Sequence, residues 1–349
     1  MRSQKANPPG KRSSARKYAP SPKGWSLKVR PNTATSQAAA CRATTTDPMR
    51  DFDIICIGEP LVEFNQIKGT QWHQGFGGDV SNVAIGAARL GARSAIATRL
   101  GDDGFGQELR NLWSREGVDA SCVATDASAP TGLYFVRHGS DGHRFEYRRA
   151  GSAASRMTAD SLPVEAIERA RFTHLSGITL AISASARDAG LDAMRIARAA
   201  GRQVSFDPNL RLALWPLEQA RSVIIQALGL ADIALPGLDD ARQITGLDTP
   251  EDIVRAFHKM GPDIVALTLG EDGALLGHAG TITHIPGVRV TALDATGAGD
   301  CFDGAFLTRL SKGDTPEAAC RYAVAASALS VQGYGAVAPL PTVADMAAG

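Results

Sequence analysis

Asp294-Ala295-Thr296-Gly297-Ala298-Gly299-Asp300-Cys301-Phe302-Asp303-Gly304-Ala305-Phe306 joins an extended apolar segment to an Ala-rich helical pattern near the C-terminal end of the chain. Two glycines around one small residue leave backbone N–H groups bare where that helix begins. Unsatisfied donors and the positive end of the helix dipole converge there, which suits a phosphate. Asp300 falls in the first turn, beside whatever anion the loop holds. A carboxylate next to a phosphate is electrostatically costly, so Asp300 reads as a proton acceptor or a partner of metal-bound water rather than scaffold. The first expectation is phosphoryl transfer with Asp300 as the base.

Working outward, the rest of the chain alternates strand and helix patterns from Asp53 onward. The first strand is Asp53-Ile54-Ile55-Cys56-Ile57-Gly58, and a glycine-rich turn, Gly75-Phe76-Gly77-Gly78-Asp79-Val80-Ser81-Asn82, leads into a helix over 83–90 closed by Gly91. A strand is expected over 92–100, and a helix from Asp102 to Arg115 with Gly117 just past its end. Strands at Thr131–Arg137 and Arg144–Arg149 flank the turn Gly139-Ser140-Asp141-Gly142, a hairpin pattern. Further strands over 172–176, 203–207, 232–235 and 263–269 alternate with helices over 184–200, 217–228 and 250–259. That cadence predicts a mostly parallel sheet covered by helices on both faces, with the hairpin projecting as a small β element. Ligands of such sheets bind beyond the strand C-termini, and every candidate residue falls just after an expected strand or on the hairpin.

The Walker pattern is absent, which argues against a P-loop nucleotidase. The Rossmann fingerprint fails too, because Phe302 stands three positions after Gly299 and the loop lies in the last sixth of the chain. Two segments taken together give the loop a name. Asp294–Asp300 and Gly77-Gly78-Asp79-Val80-Ser81-Asn82-Val83-Ala84 resemble the paired signatures of the ribokinase-like (PfkB-type) carbohydrate kinases. The resemblance runs on through Gly101–Gly106, Thr268-Leu269-Gly270-Glu271-Asp272-Gly273 and Gly333-Tyr334-Gly335-Ala336, in order over about residues 53–340. It implies an α/β, ribokinase-like, doubly wound sheet flanked by helices, with a β lid around 61–75 and 131–150. It also implies an ATP- and Mg2+-dependent sugar kinase with Asp300 as catalytic base and the N–H groups of Gly297, Ala298 and Gly299 as anion hole. Asn209, Thr268, Gly270, Gly273, Gly297 and Gly299 fall at the nucleotide on this reading, and Gly77, Gly78, Asp79 and Asn82 at the sugar.

Within the family, Thr131–Tyr134, Tyr147–Ala153, His174–Thr179 and Phe206–Arg211 with Trp215 are similar to 2-keto-3-deoxygluconate kinases. That similarity makes Tyr134, Tyr147, Arg149 and Arg211 substrate contacts. Chemistry supports it independently: a 2-keto acid presents a carboxylate that Arg takes in fork geometry, whereas a neutral hexose has no need of a guanidinium. A kinase for fructose or another neutral sugar is the nearer alternative, and a non-catalytic binder of sugar phosphate or nucleic acid the farther one. Three positions depart from the pattern. Ala295 replaces the usual Thr or Pro, Gly237-Leu238-Asp239-Asp240 replaces an Asn-x-x-Glu motif tied to Mg2+, and Thr268 stands where some relatives have Lys. Mg2+ is accordingly expected on the ATP phosphates rather than in a protein-built metal site.

Composition sets the outer bounds. The chain of 349 residues is 44% hydrophobic and 21% charged, ordinary values for a globular protein. No apolar run approaches the roughly 18 residues that span a bilayer. Five cysteines without metal-ligand spacing read as buried thiols in a reducing compartment, the cytoplasm. The net charge of +1 hides an asymmetry, since residues 1–50 hold eleven Lys or Arg and one acid and leave about −9 on the rest. This basic leader is expected to be disordered. A transit peptide, a nucleic-acid arm and an upstream extension before Met49 compete to explain it, the last fitting Met49's place just before the first strand. No nucleic acid is expected to bind the acidic core. Leu133, Phe135 and Phe145 on the lid suit a homodimer.

Overall fold

The computed structural model describes residues 51–139 and 142–348. The basic leader and the hairpin tip Ser140-Asp141 lie outside the described residues. Among the described residues thirteen strands form two sheets: β1 (Phe52–Ile57), β2 (Leu61–Lys68), β3 (Gln71–Gly77), β4 (Ser94–Gly101), β5 (Val123–Asp126), β6 (Leu133–Gly139) and β7 (Gly142–Arg148). After these come β8 (Ala170–Ser176), β9 (Gln203–Asp207), β10 (Ile233–Ala234), β11 (Ile264–Thr268), β12 (Gly273–His278) and β13 (Thr281–Pro286). The large sheet runs β13-β12-β11-β10-β9-β8-β1-β4-β5. All its pairs from β11 to β5 are parallel, and β11-β12-β13 closes one edge as an antiparallel meander.

The central strand shows how the sequence builds two cores. Successive side chains of a strand point to opposite faces. Ile54 and Cys56 pack with Trp113, Phe302 and Phe306, under the helices Asp79–Arg89, Gly104–Glu116, Ala298–Ser311 and Pro316–Ser330. Ile55 and Ile57 pack with Leu191, Met194, Ile224 and Phe257, under Ala184–Ala199, Leu217–Leu228 and Pro250–Met260. A strand buried on both sides reads as an unbroken apolar run, as this one does.

The second sheet has the order β3-β2-β6-β7. Its β6–β7 pair matches the expected hairpin, and β2 joins it through a parallel pairing with β6. Phe135 stacks on Phe64 at 5.4 Å and meets Trp72 edge-on at 5.6 Å. Leu133 packs against the main core. Of the three lid residues expected to face a second subunit, Phe145 alone is largely exposed, at 48%.

Two boundaries differ from expectation in ways that matter. The helix expected from Val83 begins at Asp79, because Gly78 at φ 99° serves as its N-cap and draws the glycine turn into the helix. The stretch before Asp294 is no strand. Its Leu293 and Asp294 N–H groups donate to the Val331 carbonyl at 2.7 and 3.2 Å, docking it on a helix end instead of the sheet. Among the described residues no helix is long and apolar enough to cross a membrane. Cys56, Cys301 and Cys320 are buried free thiols.

Candidate active site

A cleft of about 980 Å³ opens at the C-terminal ends of the parallel strands, with the small sheet along one side. It brings together every residue singled out from the sequence except Gly270 and Gly273. Gly273 has a backbone reason of its own: at φ 93°, a Cβ there would stand 2.1 Å from the Ile285 carbonyl oxygen.

Two helix N-termini meet in the cleft. Gly78 caps one and Gly297 the other, both at positive φ and neither with a side chain on the first-turn N–H groups. Adding Cβ to Gly78 would put it 2.4 Å from the Glu59 carbonyl oxygen, so the tight approach requires glycine there. At the second helix, the first intrahelical bond runs from Cys301 N–H to Gly297 O at 2.8 Å. Helix geometry therefore leaves Gly299 and Asp300 N–H without an acceptor inside the helix. Ala298 N–H is already turned to Ala295 O at 3.2 Å, so it is the weakest member of the expected anion hole.

The two helices also bring their acids together. Asn82 Nδ2 donates to Asp300 Oδ2 at 2.7 Å, and Asn209 Nδ2 to Asp79 Oδ2 at 3.1 Å. Burial, and then the charge of Asp79, push the Asp300 carboxyl up to about 7, against the opposing pull of Asn82 and Arg211. That is where a general base serves near neutral pH. Asp207 is raised well above the carboxylate range by burial and by Asp300, Asp240 and Asp79. Its Oδ1 accepts Asn209 N–H at 3.0 Å, while Asp240 Oδ2 accepts Leu210 N–H at 2.8 Å. Between these anchors Asn209 sits at φ 32°, left-handed backbone that Asn tolerates better than most residues.

The two arginines stand in unlike surroundings. Arg211 is half-exposed, 3.8 Å from Asp240. Arg149 is buried in an ion pair with Glu59, whose side chain is 0% exposed, and Ser152 Oγ donates to Glu59 Oε1 at 3.0 Å. The Arg149 guanidinium lies 5.2 Å over the Tyr147 ring, which stacks on Tyr134 at 5.7 Å. The Tyr134 hydroxyl donates to Glu63, and its approach leaves no room for a side chain at Gly77. Thr268, at the end of β11, donates its N–H to Pro236 O just past β10 at 2.9 Å and lines the cleft.

Sequence reasoning passed over Glu59, Asp207 and Asp303 as site residues. Asp303 is 2% exposed, one helical turn beyond Asp300, with His174 Nε2 4.0 Å from its Oδ2. Burial depresses the His174 pKa to about 3, keeping the ring neutral. The three-residue spacing from Asp300 was the available signal. Nothing in the local sequence announces Glu59 as the partner of Arg149.

A model of the pfkB family carbohydrate kinases matches residues 51–343. The chain is 36% identical over 310 residues to Fructokinase-1 of Zea mays, covering 84% of this chain and 96% of that one. It is 34% identical over 305 residues to the 2-dehydro-3-deoxygluconokinase of Thermoproteus tenax, covering 84% and 93%. Among solved structures, the PfkB protein of Polaromonas sp. JS666 superposes with a TM-score of 0.78 at 35% identity, covering 85% of this chain and 100% of that one. A putative ribokinase II of E. coli in complex with ATP and Mg2+ gives 0.79 at 27%, covering 85% and 98%. The chain belongs to the pfkB family, a carbohydrate kinase on the ribokinase-like fold.

Proposed function

We propose that this kinase transfers the γ-phosphoryl group of ATP to the terminal hydroxyl of 2-keto-3-deoxygluconate, giving 2-keto-3-deoxy-6-phosphogluconate and ADP. The observation that carries the substrate is Arg211, a half-exposed guanidinium lining the cleft and near enough to Asp300 to act on its charge. A carboxylate is the substrate group that such a fork fits.

Asp300 accepts the hydroxyl proton as that oxygen bonds to the γ-phosphorus and the bond to the β-phosphate oxygen breaks. The free N–H groups of Gly299 and Asp300 hold negative charge on the transferring group, and Asn82 aims the Asp300 carboxylate. Positioning and charge neutralisation supply most of the rate in such reactions. Mg2+ would be held mainly by the phosphates and neutralise their charge. Asp240 fits as the carboxylate placed to take one of its waters. The small sheet then serves as a lid, with Tyr134 and Tyr147 against the sugar. We infer a homodimer through that sheet, supported by its exposed Ile67 and Phe145 and its edge strands β3 and β7; a monomer in analytical ultracentrifugation would exclude it.

One observation favours a second reading. Glu59 already neutralises Arg149 and Asp240 lies 3.8 Å from Arg211, so neither guanidinium faces the cleft without a carboxylate of its own, which suits a neutral hexose nearly as well. The similarity to a fructokinase points the same way. A substrate panel with coupled ADP detection separates the two. Arg211→Ala should raise KM for the keto acid by roughly tenfold or more while changing KM for fructose little. Preference of the unmutated enzyme for fructose, or equal losses on both substrates in the variant, would overturn the sugar-acid assignment.

A further inference from the structure

The helix Asp79–Arg89 contributes to the cleft at its first turn, yet its last residue makes the more elaborate contacts. Arg89 sits about 15 Å beyond Asp79 along the helix axis, at 1.5 Å per residue. Its guanidinium grips Glu116 with both arms, Nε to Oε2 at 2.7 Å and Nη2 to Oε1 at 3.0 Å. The remaining nitrogen, Nη1, donates to three carbonyls of one segment: Val337 at 3.0 Å, Ala338 at 3.3 Å and Leu340 at 2.7 Å. Both side chains are 18% exposed, so this is a largely dry contact.

The gripped segment has no ladder or helix of its own. What it touches on its other side is the phosphate loop. Gly335 N–H donates to Asp294 Oδ2 at 2.9 Å, and Asp294 Oδ1 accepts Thr296 N–H at 2.9 Å and Thr296 Oγ1 at 2.6 Å. Ala336 lies directly against Gly297, where an added Cβ would stand 3.1 Å from it. The turn that caps the Asp300 helix therefore rests on residues 335 and 336. Those residues are anchored two positions later by one guanidinium.

We propose that Arg89 is a positioning residue for the anion-binding turn Asp294–Gly297, acting through the segment Gly335–Leu340. Its Glu116 pair ties two helices together and serves stability, whereas its three carbonyl bonds alone hold the turn in the shape that presents Gly299 and Asp300 N–H. A distant arginine thus sets nucleotide affinity while touching neither nucleotide nor sugar, a role that rests on the nucleotide reading of the turn given above.

Two variants separate this from a plain brace. Arg89→Ala removes the carbonyl bonds; Glu116→Gln keeps them and removes only the ion pair. Two measurements suffice: ADP affinity by calorimetry, and amide hydrogen exchange at Gly335 and Thr296 without nucleotide. Arg89→Ala should weaken ADP, and raise KM for ATP, by roughly tenfold, with KM for the sugar changed much less. Exchange at both amides should accelerate. Glu116→Gln should lower Tm with ADP affinity and exchange at both amides near wild type. Unchanged exchange in Arg89→Ala, or equal acceleration in both variants, would overturn the proposal. So would parallel losses for nucleotide and sugar. Should Arg89→Ala fail to fold, Arg89→Gln, whose amide stops two bonds short of the guanidinium nitrogens and so of the three carbonyls, is read by the same criteria. Failure of the unmutated protein to bind ADP would refute the nucleotide reading instead, and the exchange data would still decide the role of Arg89.

Discussion

Asp300 is asked to be both buried enough to hold a proton and accessible enough to exchange it. Burial and Asp79 raise its pKa to about 7, while Asn82 keeps one oxygen fixed. A base works deprotonated, so kcat/KM should climb with pH through about 7 and level off above it; a profile flat from pH 5 to 8 would contradict the assignment. Asp300→Asn should cut kcat by roughly 10²–10⁴ with the fold intact, as measured by turnover beside circular dichroism. The same variant carries a stability signature. The folded pKa of Asp300 lies above its unfolded value of 3.8, so the folded state holds the proton more tightly and the ionised form costs stability as pH rises toward and through 7. The Asn variant should therefore exceed wild type in Tm most at pH 8, the gap narrowing as pH falls toward 4. The base and its glycines were legible because a helix N-cap without a capping side chain leaves a local trace in sequence. Arg149 was legible as a cleft residue but not as half of an ion pair, since its partner Glu59 lies in the loop between β1 and β2 and burial decides the pairing.

Helices and strands carry the next level. The helices Asp79–Arg89 and Ala298–Ser311 hold Asn82 against Asp300, and they cross where Gly304 meets the other backbone. A Cβ at Gly304 would lie 2.8 Å from Val83 O and 3.0 Å from Ala87 N. Gly304→Ala should push the helices apart by a few tenths of an ångström or more, lowering Tm and reducing kcat by at least about tenfold, since misplacement of that order breaks near-attack geometry. Wild-type kcat in a destabilised variant would show that the crossing sets stability alone. In sequence this glycine is one small residue in an Ala-rich helix, so its packing role was invisible. The parallel core strands read well because they are apolar throughout. β13 escaped notice because its exposed and buried positions follow no sustained alternation, and the buried β12 because Gly-Ala-Leu-Leu-Gly-His holds only two large apolar residues between glycines. The stretch before Asp294 read as an extended apolar segment, yet its Val288, Val290 and Leu293 turn out exposed.

At the scale of the whole molecule, the strand order places sequence neighbours side by side from β8 to β13, while β1 sits in the middle between β8 and β4. The cadence of alternating elements predicted that class of sheet, but no local pattern fixes which strands are adjacent. The same arrangement joins the two ends of the described chain at the active site, where Asn82 bonds Asp300 across 218 positions. Contacts so distant in sequence bear the entropy of a long loop before they return any energy, and they tend to form late. On refolding from denaturant, the far-UV signal of the sheet should therefore recover before kinase activity does. Simultaneous recovery would place the helix crossing in the folding nucleus. On the ribosome the order is stricter still. The final sixth of the chain carries the base, its turn and the segment behind it, so a nascent chain halted before Asp294 can assemble its central strands and yet possess no catalyst. Premature termination there would remove the base and would also leave Ile54 and Cys56 without the Phe302 and Phe306 they pack against.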